Sequence, residues 1–278
     1  MGRDKKTNRL ALGVATATLA ATFACGVYVG HFRVFPFKEL RVAKNALVGS
    51  PAGATRQSPL QNRRMNSQER GRRLNFLNRI DIHEGYSTRA DVVMVGDSLT
   101  DYAEWSEMFP DVAIVNRGIA GDTTEGLLER LDSVIATGAD IALIMIGVND
   151  IGPGVSAEQI YLNYEKIVLR LLENGIQPCI QSTLLVGRTQ HGKNPVIAAL
   201  NKRLVALAER EKLTYIDLNA RIAPSGELET QYASGDSVHL NAKGYAVWRE
   251  MIAPIVTNPR ITSHSNIHSA VADLETNR

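Results

Sequence analysis

A serine, a histidine and an aspartate have the residue types and spacing needed for nucleophilic catalysis. Ser98 lies in the segment Gly-Asp-Ser-Leu-Thr at 96–100, directly after an apolar run. A serine hydroxyl needs a base, and imidazole titrates near neutral pH. His239 is the candidate base, and Asp236 stands three residues before it. A carboxylate there could hold the ring through Nδ1–H and stabilise the imidazolium. The three residues predict acyl transfer through a serine nucleophile.

The elements that must position these residues follow from short apolar runs between residues 90 and 256. Five such runs are typical of buried strands, and segments with helical spacing of apolar residues lie between them. Strands that alternate with helices predict an α/β fold with a five-stranded parallel sheet covered on both faces. The predicted strands are Asp91–Val95, Val112–Val115, Ile141–Ile146, Pro178–Gln181 and Tyr215–Leu218.

Polar residues and glycines follow four of these predicted strands. Ser98 follows the first strand, Gly121 the second and Asn149 the third, while Asp236 and His239 lie in a long loop after the fifth. Ligands of parallel sheets bind beyond the carboxyl ends of the strands. We therefore expect these side chains to converge on one edge of the sheet.

Four sequence blocks carry a resemblance to a known family. They are Gly-Asp-Ser-Leu at 96–99, Gly-Ile-Ala-Gly-Asp-Thr-Thr at 118–124, Gly-Val-Asn-Asp at 147–150 and Asp-x-x-His at 236–239. Their order and spacing resemble the SGNH/GDSL hydrolases, particularly the platelet-activating-factor acetylhydrolase-like and the lysophospholipase/thioesterase-like members. The resemblance implies a flavodoxin-like three-layer α/β/α fold, hydrolysis of ester bonds, and neither a metal nor another cofactor.

The resemblance also implies an oxyanion hole. Its donors would be the backbone N–H groups of Ser98 and Gly121 and the side-chain amide of Asn149. Such donors are needed because the tetrahedral intermediate of acyl transfer carries a negatively charged oxygen. A glycine at 121 suits the role, since no Cβ stands between its N–H and the acyl group.

The net charge of the chain is distributed unevenly. Residues 1–79 hold 15 Lys/Arg and 3 Asp/Glu, whereas residues 80–278 hold 16 Lys/Arg and 26 Asp/Glu. Within the first part, Leu10–Val29 contains no charged residue, and a helix of that length spans about 30 Å, the thickness of the hydrocarbon layer. We predict a single-pass transmembrane signal anchor, with a cleaved signal peptide as the alternative. Basic residues flank the segment almost equally on both sides, but a short N-terminus before a first apolar segment usually stays in the cytoplasm. We therefore expect the body outside the cytoplasm, in the periplasm or at the cell surface.

The predicted organisation follows from these patterns. Seven arginines between 56 and 79 could contact anionic lipid, and Leu74, Leu77 and Ile80 stand at helical spacing.

The acidic body and the lack of a recognition motif disfavour nucleic-acid binding and favour neutral or zwitterionic esters. The segments are a basic N-terminus 1–9, the anchor 10–29, a basic linker 30–66, a helical lead-in 67–89, the SGNH hydrolase domain 90–256 and a polar tail 257–278.

The leading hypothesis is a membrane-tethered serine esterase or acylhydrolase. Its substrate is either a lipid acyl ester or an O-acetyl group on an envelope or extracellular glycan, and its oligomeric state is open. A catalytically silent tethered binding domain, and O-acetyl transfer to or from an envelope glycan, are the alternatives. A classical α/β-hydrolase is excluded because Thr100 replaces the second glycine of its nucleophile motif, and a dinucleotide-binding Gly-x-Gly-x-x-Gly turn is absent.

Overall fold

The structure, a computed structural model, describes residues 67–86 and 88–258. The predicted basic N-terminus, membrane anchor and linker lie outside the described residues, as does most of the polar tail. Among the residues that are described, no helix combines the length and the apolar character needed to cross a bilayer.

Five strands of the described chain form one parallel sheet, as predicted, in the order β2-β1-β3-β4-β5. This is the strand order of flavodoxin-like sheets, which bind ligands where the order reverses, between β1 and β3. The strands are β1 Val92–Gly96, β2 Ile114–Gly118, β3 Ile141–Met145, β4 Gln177–Gln181 and β5 Thr214–Ile216.

Strand β2 runs three residues beyond its predicted end at Val115. The strand can continue through polar residues because the donor and acceptor groups of the Asn116 side chain are all hydrogen-bonded. The Asn116 amide donates to the carbonyls of Thr100, Asp101 and Ala103 at 2.9–3.2 Å and accepts from the Gly118 N–H at 2.8 Å. A satisfied polar side chain costs little when it is partly buried, so β2 extends to the edge where the predicted site lies.

Both faces of the sheet are covered, because successive strand residues point to opposite sides. Val92 and Met94 pack in one core with Trp248, whereas Val93 and Val95 pack in a second core with Tyr164. The three-layer arrangement is therefore confirmed. The helices are α1 Ser67–Gly85, α2 Ser98–Asp101, α3 Trp105–Met108, α4 Thr124–Ile135, α5 Val148–Ile151, α6 Ala157–Glu173, α7 Asn194–Glu211, α8 Asn219–Ile222 and α9 Ala242–Val256, with a 3-10 turn at Arg188–Lys193.

The predicted helical lead-in is a helix, but its spaced leucines are not its packed side. Leu74 and Leu77 are 54% and 46% exposed. Helix α1 instead packs through other residues: Phe76 lies against Gly126 on α4, and Arg79 forms an ion pair with Asp101 at 3.0 Å. One aromatic contact and one ion pair therefore dock this helix, and the spacing of its leucines could not identify its buried side.

His83 is a buried polar residue of α1. It is 3% exposed, and neither ring nitrogen has a hydrogen-bond partner among the described residues. Burial, followed by the positive charges of Arg117, Arg79 and Arg130, lowers the pKa of His83 to about 3. The ring is therefore neutral in the folded protein over the whole physiological range.

Replacing His83 with phenylalanine is expected to stabilise the protein more at pH 5 than at pH 8. An unfolded histidine titrates near pH 6.5, so between that pH and about 3 the unfolded chain binds a proton that the folded chain does not. Stability then falls as the pH drops below about 6.5. We expect the effect of H83F on the free energy of unfolding to differ by about 1–2 kcal/mol between the two pH values. Urea unfolding measures it, with H191F as the control, and an effect independent of pH would contradict the argument.

Candidate active site

Ser98 lies at the turn from β1 into α2, at the carboxyl edge of the sheet. Asp97 caps the helix, and its Oδ1 accepts a hydrogen bond from the Leu99 N–H at 3.0 Å. The turn is tight, because a Cβ at Gly96 would collide with the carbonyl oxygen of Met145. Asp97 is fully buried, and burial raises its pKa to about 7. Its role in the structure is to hold the turn that presents Ser98.

His239 and Asp236 meet Ser98 from the loop between α8 and α9. The Ser98 Oγ lies 2.8 Å from His239 Nε2, and His239 Nδ1 lies 2.5 Å from Asp236 Oδ2. The ring of Tyr102 packs against the histidine ring with a centroid distance of 5.2 Å. The three residues predicted from sequence are thus brought into one hydrogen-bonded line.

The loop that carries the histidine is closed by its own hydrogen bonds. Asp236 Oδ1 accepts from the backbone N–H groups of Val238 and His239 at 3.0 and 2.9 Å, and from the Ser234 hydroxyl at 2.8 Å. Ser237 adopts a left-handed conformation with φ 62°, and its carbonyl accepts from the Gly187 N–H at 2.7 Å. The three-residue spacing of Asp236 and His239 is therefore the spacing that this turn requires.

The hydrogen bonds of this turn also set the ionisation of Asp236. Partial burial alone would raise its pKa, but the hydrogen bonds from the His239 N–H, the His239 ring, Val238 and Ser234 outweigh burial and lower it below its usual range. The carboxylate is therefore ionised at neutral pH, as it must be to stabilise an imidazolium.

Two of the predicted oxyanion donors, Gly121 and Asn149, line one cleft together with Ser98 and His239. Gly121 has φ 81°, a left-handed conformation that favours glycine, and its N–H makes no hydrogen bond to another described residue. The Asn149 side chain is held by one N–H that donates to the carbonyl of Asp122 at 2.9 Å. Gly121 and Asn149 follow β2 and β3, the two neighbours of β1, and this order brings them beside the serine.

A buried ion pair lies beneath the oxyanion side. Arg130 of α4 donates to Asp122 Oδ2 at 2.7 Å, to the Arg117 carbonyl at 2.8 Å and to the Gly96 carbonyl at 3.1 Å. Both side chains are about 1% exposed or less. Burial raises the pKa of Asp122 to about 6 and outweighs the opposing effect of Arg130. The guanidinium thereby connects the ends of β1 and β2 with the loop that carries Gly121.

A second ion pair connects helix α1 to the site. Asp101, at the end of the nucleophile helix, accepts from Arg79 through Oδ1 at 3.0 Å and from the Ala120 N–H through Oδ2 at 3.1 Å. Helix α1 consequently borders an open cleft of about 380 Å³ above the serine. The cleft is lined by Gly71, Arg72, Asn75, Ser98, Tyr102, Ala120, Gly121, Asn149 and His239.

Comparison with known proteins agrees with this geometry. Residues 84–247 match the sequence profile described as "GDSL-like Lipase/Acylhydrolase family", which is more than half of the chain. The chain belongs to this family. Its matched domain is accordingly of the ester-hydrolysing GDSL type, and the resemblance of its four sequence blocks is confirmed at the level of the whole domain.

Two groups of curated relatives match the GDSL domain. Platelet-activating factor acetylhydrolase IB subunit alpha1 of Pongo abelii is 28% identical over 165 residues, which cover 56% of this chain and 71% of that protein. N-acylneuraminate cytidylyltransferase of Streptococcus agalactiae is 26% identical over 166 residues, which cover 58% of this chain but 38% of that protein. The match to the cytidylyltransferases thus spans little more than a third of their length.

Solved structures of GDSL proteins share the fold. A GDSL-like lipase from Bacteroides thetaiotaomicron is 21% identical, with a TM-score of 0.58, and the match covers 66% of this chain and 98% of that one. The lipase/acylhydrolase from Enterococcus faecalis is also 21% identical, with a TM-score of 0.53, and the match covers 63% and 98% of the two chains.

Sequence reasoning missed two parts of this GDSL site. The first is Arg130, whose signal was its place on the buried side of α4, between Leu127 and Leu131. The second is the cleft wall from α1, which the apolar pattern of 67–89 did not suggest. Within the described ranges, no cluster of three or more His, Cys, Asp or Glu side chains is arranged to hold a metal ion.

Proposed function

We propose that this GDSL enzyme cleaves carboxylic esters through an acyl-enzyme on Ser98, with His239 as the general base and Asp236 as the residue that orients it. The observation that carries the proposal is the continuous hydrogen-bonded line from Asp236 through His239 to Ser98, with distances of 2.5 and 2.8 Å. A base and an orienting carboxylate in this order are what an unactivated hydroxyl needs in order to attack an ester.

The proposed reaction has two stages. In the first, His239 Nε2 takes the Ser98 proton while Oγ attacks the carbonyl carbon, and the tetrahedral intermediate collapses as the alcohol leaves with the proton from His239. In the second, His239 takes a proton from water as the water oxygen attacks the acyl carbon. The bond to Ser98 Oγ then breaks, His239 returns its proton to Oγ, and the carboxylic acid is released. Each stage returns the histidine to its neutral form.

The oxyanion of each intermediate is proposed to be bound by the backbone N–H groups of Ser98 and Gly121 and by the Asn149 amide. The Asp122 carbonyl accepts one amide hydrogen of Asn149 at 2.9 Å, which leaves the second available. Gly121 lines the cleft, and its N–H donates to no other described residue. Donors that are fixed before the reaction stabilise developing charge without reorganisation, and each contributes about 10²–10³ in rate.

Covalent labelling tests this function directly. We expect the wild-type protein to react with a fluorophosphonate probe and Ser98→Ala to lose the label completely, because the probe requires an activated serine. Ser225→Ala, at an exposed serine, controls for the loss of any serine hydroxyl and is expected to label fully. An unlabelled wild-type protein would favour the silent binding domain, and equal labelling of S98A would refute Ser98 as the nucleophile.

We further propose that residues 10–29 anchor the enzyme in a membrane, with the catalytic domain in the periplasm or at the cell surface. The 20 residues without a charge, preceded by Arg3, Lys5, Lys6 and Arg9, support an anchor. Such tethering would bring the enzyme to a lipid or envelope-glycan ester. Protease protection of the C-terminal segment in sealed vesicles tests this orientation, and cleavage from the cytoplasmic side alone would refute it.

A further inference from the structure

One wall of the catalytic cleft comes from a helix outside the four sequence blocks. Gly71, Arg72 and Asn75 of α1 line the cleft together with Ser98 and His239. The positions 71, 72 and 75 lie within one turn of each other, so one end of the helix faces the cleft. An ester bound at Ser98 therefore occupies a cleft that these residues help to line.

The position of this wall is fixed by contacts farther along α1. Arg79 pairs with Asp101 of the nucleophile helix at 3.0 Å, and Phe76 lies against Gly126 of α4. At the cleft itself Gly71 leaves space, because no described atom lies within 4 Å of the place where its Cβ would stand.

The charge of the cleft is one-sided. Arg72 is its one permanently charged side chain among the described residues, and no carboxylate lines it. The Arg72 Cδ lies 3.9 Å from the position of a Cβ on Gly121, the proposed oxyanion donor. The guanidinium thus belongs to the side of the cleft where the ester carbonyl is expected. The acidic net charge of the whole domain acts at a distance and is screened within about 10 Å, whereas Arg72 acts in the cleft.

We propose that Arg72 binds an anionic group of the substrate, a carboxylate or a phosphate, so that this enzyme prefers acidic esters. The proposal rests on the proposed function, because it requires an ester bound at Ser98. A guanidinium matches the oxygens of both anions with two parallel hydrogen bonds. Asn75 adds amide donors beside it. Arg72 is therefore a specificity-determining residue rather than a member of the catalytic machinery.

The test compares three acetate esters with the full-length protein: 4-nitrophenyl acetate, 4-acetoxybenzoate and 4-acetoxyphenyl phosphate. The first is neutral, and the other two carry a carboxylate or a phosphate. We expect R72Q to lower the ratio of kcat/KM on an acidic ester to kcat/KM on the neutral ester by about five- to tenfold, chiefly through KM. The acidic ester with the larger loss identifies which anion is recognised. The wild-type ratio is expected to fall with added salt, because screening weakens the ion pair.

The neighbouring arginine provides the matched control. Arg73 is exposed on the same helix but does not line the cleft, so R73Q is expected to leave both the ratio and the basal activity unchanged. Glutamine is a good helix former, so both variants keep α1 intact. An unchanged ratio in R72Q, or an equal loss in R73Q, would overturn the role of Arg72. Continued hydrolysis of 4-nitrophenyl acetate would in that case still support the proposed esterase function. If the wild-type protein neither hydrolysed the esters nor reacted with the fluorophosphonate probe, both the esterase function and the role of Arg72 would be overturned.

Discussion

His239→Ala is expected to lower kcat for 4-nitrophenyl acetate by about 10⁴-fold or more, since removal of a triad base costs this much in serine hydrolases. Among the described residues, the His239 ring is the hydrogen-bond partner of the Ser98 hydroxyl, at 2.8 Å, and the variant removes this proton acceptor. The fold should survive, because the His239 side chain is 26% exposed and hydrogen-bonds only to Ser98 and Asp236 among the described side chains. Steady-state kinetics and urea unfolding of the same sample measure the two effects separately.

Two further variants identify the source of that loss. Asp236→Asn retains an oxygen for the turn but no longer holds the histidine through a carboxylate, so kcat is expected to fall sharply while the fold is kept. His191→Ala removes an exposed histidine far from Ser98 in the sequence and is expected to leave kcat unchanged. Near-wild-type activity in H239A would show that a different base serves Ser98.

Arg130→Met is expected to lower the free energy of unfolding by about 3–5 kcal/mol, the usual cost of removing one partner of a buried ion pair. The variant leaves Asp122 about 1% exposed without its counter-charge. It also removes the donor from the carbonyls of Arg117 and Gly96. Urea unfolding at pH 7.5 measures this loss, and methionine keeps the apolar stem so that packing changes little.

A surface pair and a double variant provide the controls. Arg170 pairs with Asp132 at 2.6 Å, but the two side chains are 38% and 88% exposed, so R170M is expected to cost less than about 1 kcal/mol. The double variant R130M/D122N should recover part of the loss, because it no longer leaves a buried carboxylate unpaired. A loss in R130M no larger than in R170M would refute the argument that burial makes this ion pair important.

The sheet and the residues of the candidate site could be predicted because short segments of the sequence identify both. Each strand is a short apolar run, and Ser98, Gly121 and Asn149 lie two to four residues past the end of one. Parallel strands place their carboxyl ends at one edge, so the positions of the three residues follow once the strands are found. Asp236 and His239 were predictable for a related reason, since one tight turn contains both.

The docking of α1 could not be predicted in this way. Its apolar residues at helical spacing, Leu74 and Leu77, are exposed, whereas an ion pair of Arg79 and the buried His83 face the domain. The spacing of apolar residues identifies an apolar face of a helix. Burial of a polar side chain depends instead on a hydrogen-bond partner, an ion-pair partner or a cavity that a distant part of the chain supplies. That partner, Asp101, is 22 residues away, and no local pattern reveals the pairing.

The hydrogen bond between Ser98 and His239 joins residues 141 positions apart in the chain. Two further contacts join the segment after β1 to helix α9. The Tyr245 hydroxyl donates to the Leu99 carbonyl at 2.9 Å, and the rings of Trp105 and Trp248 lie 5.0 Å apart. Contacts of such long sequence separation form slowly, because loop closure costs entropy before they stabilise the fold. Esterase activity should therefore return last on refolding, and the fluorescence of Trp105 and Trp248, the two tryptophans of the sequence, should change in the same step.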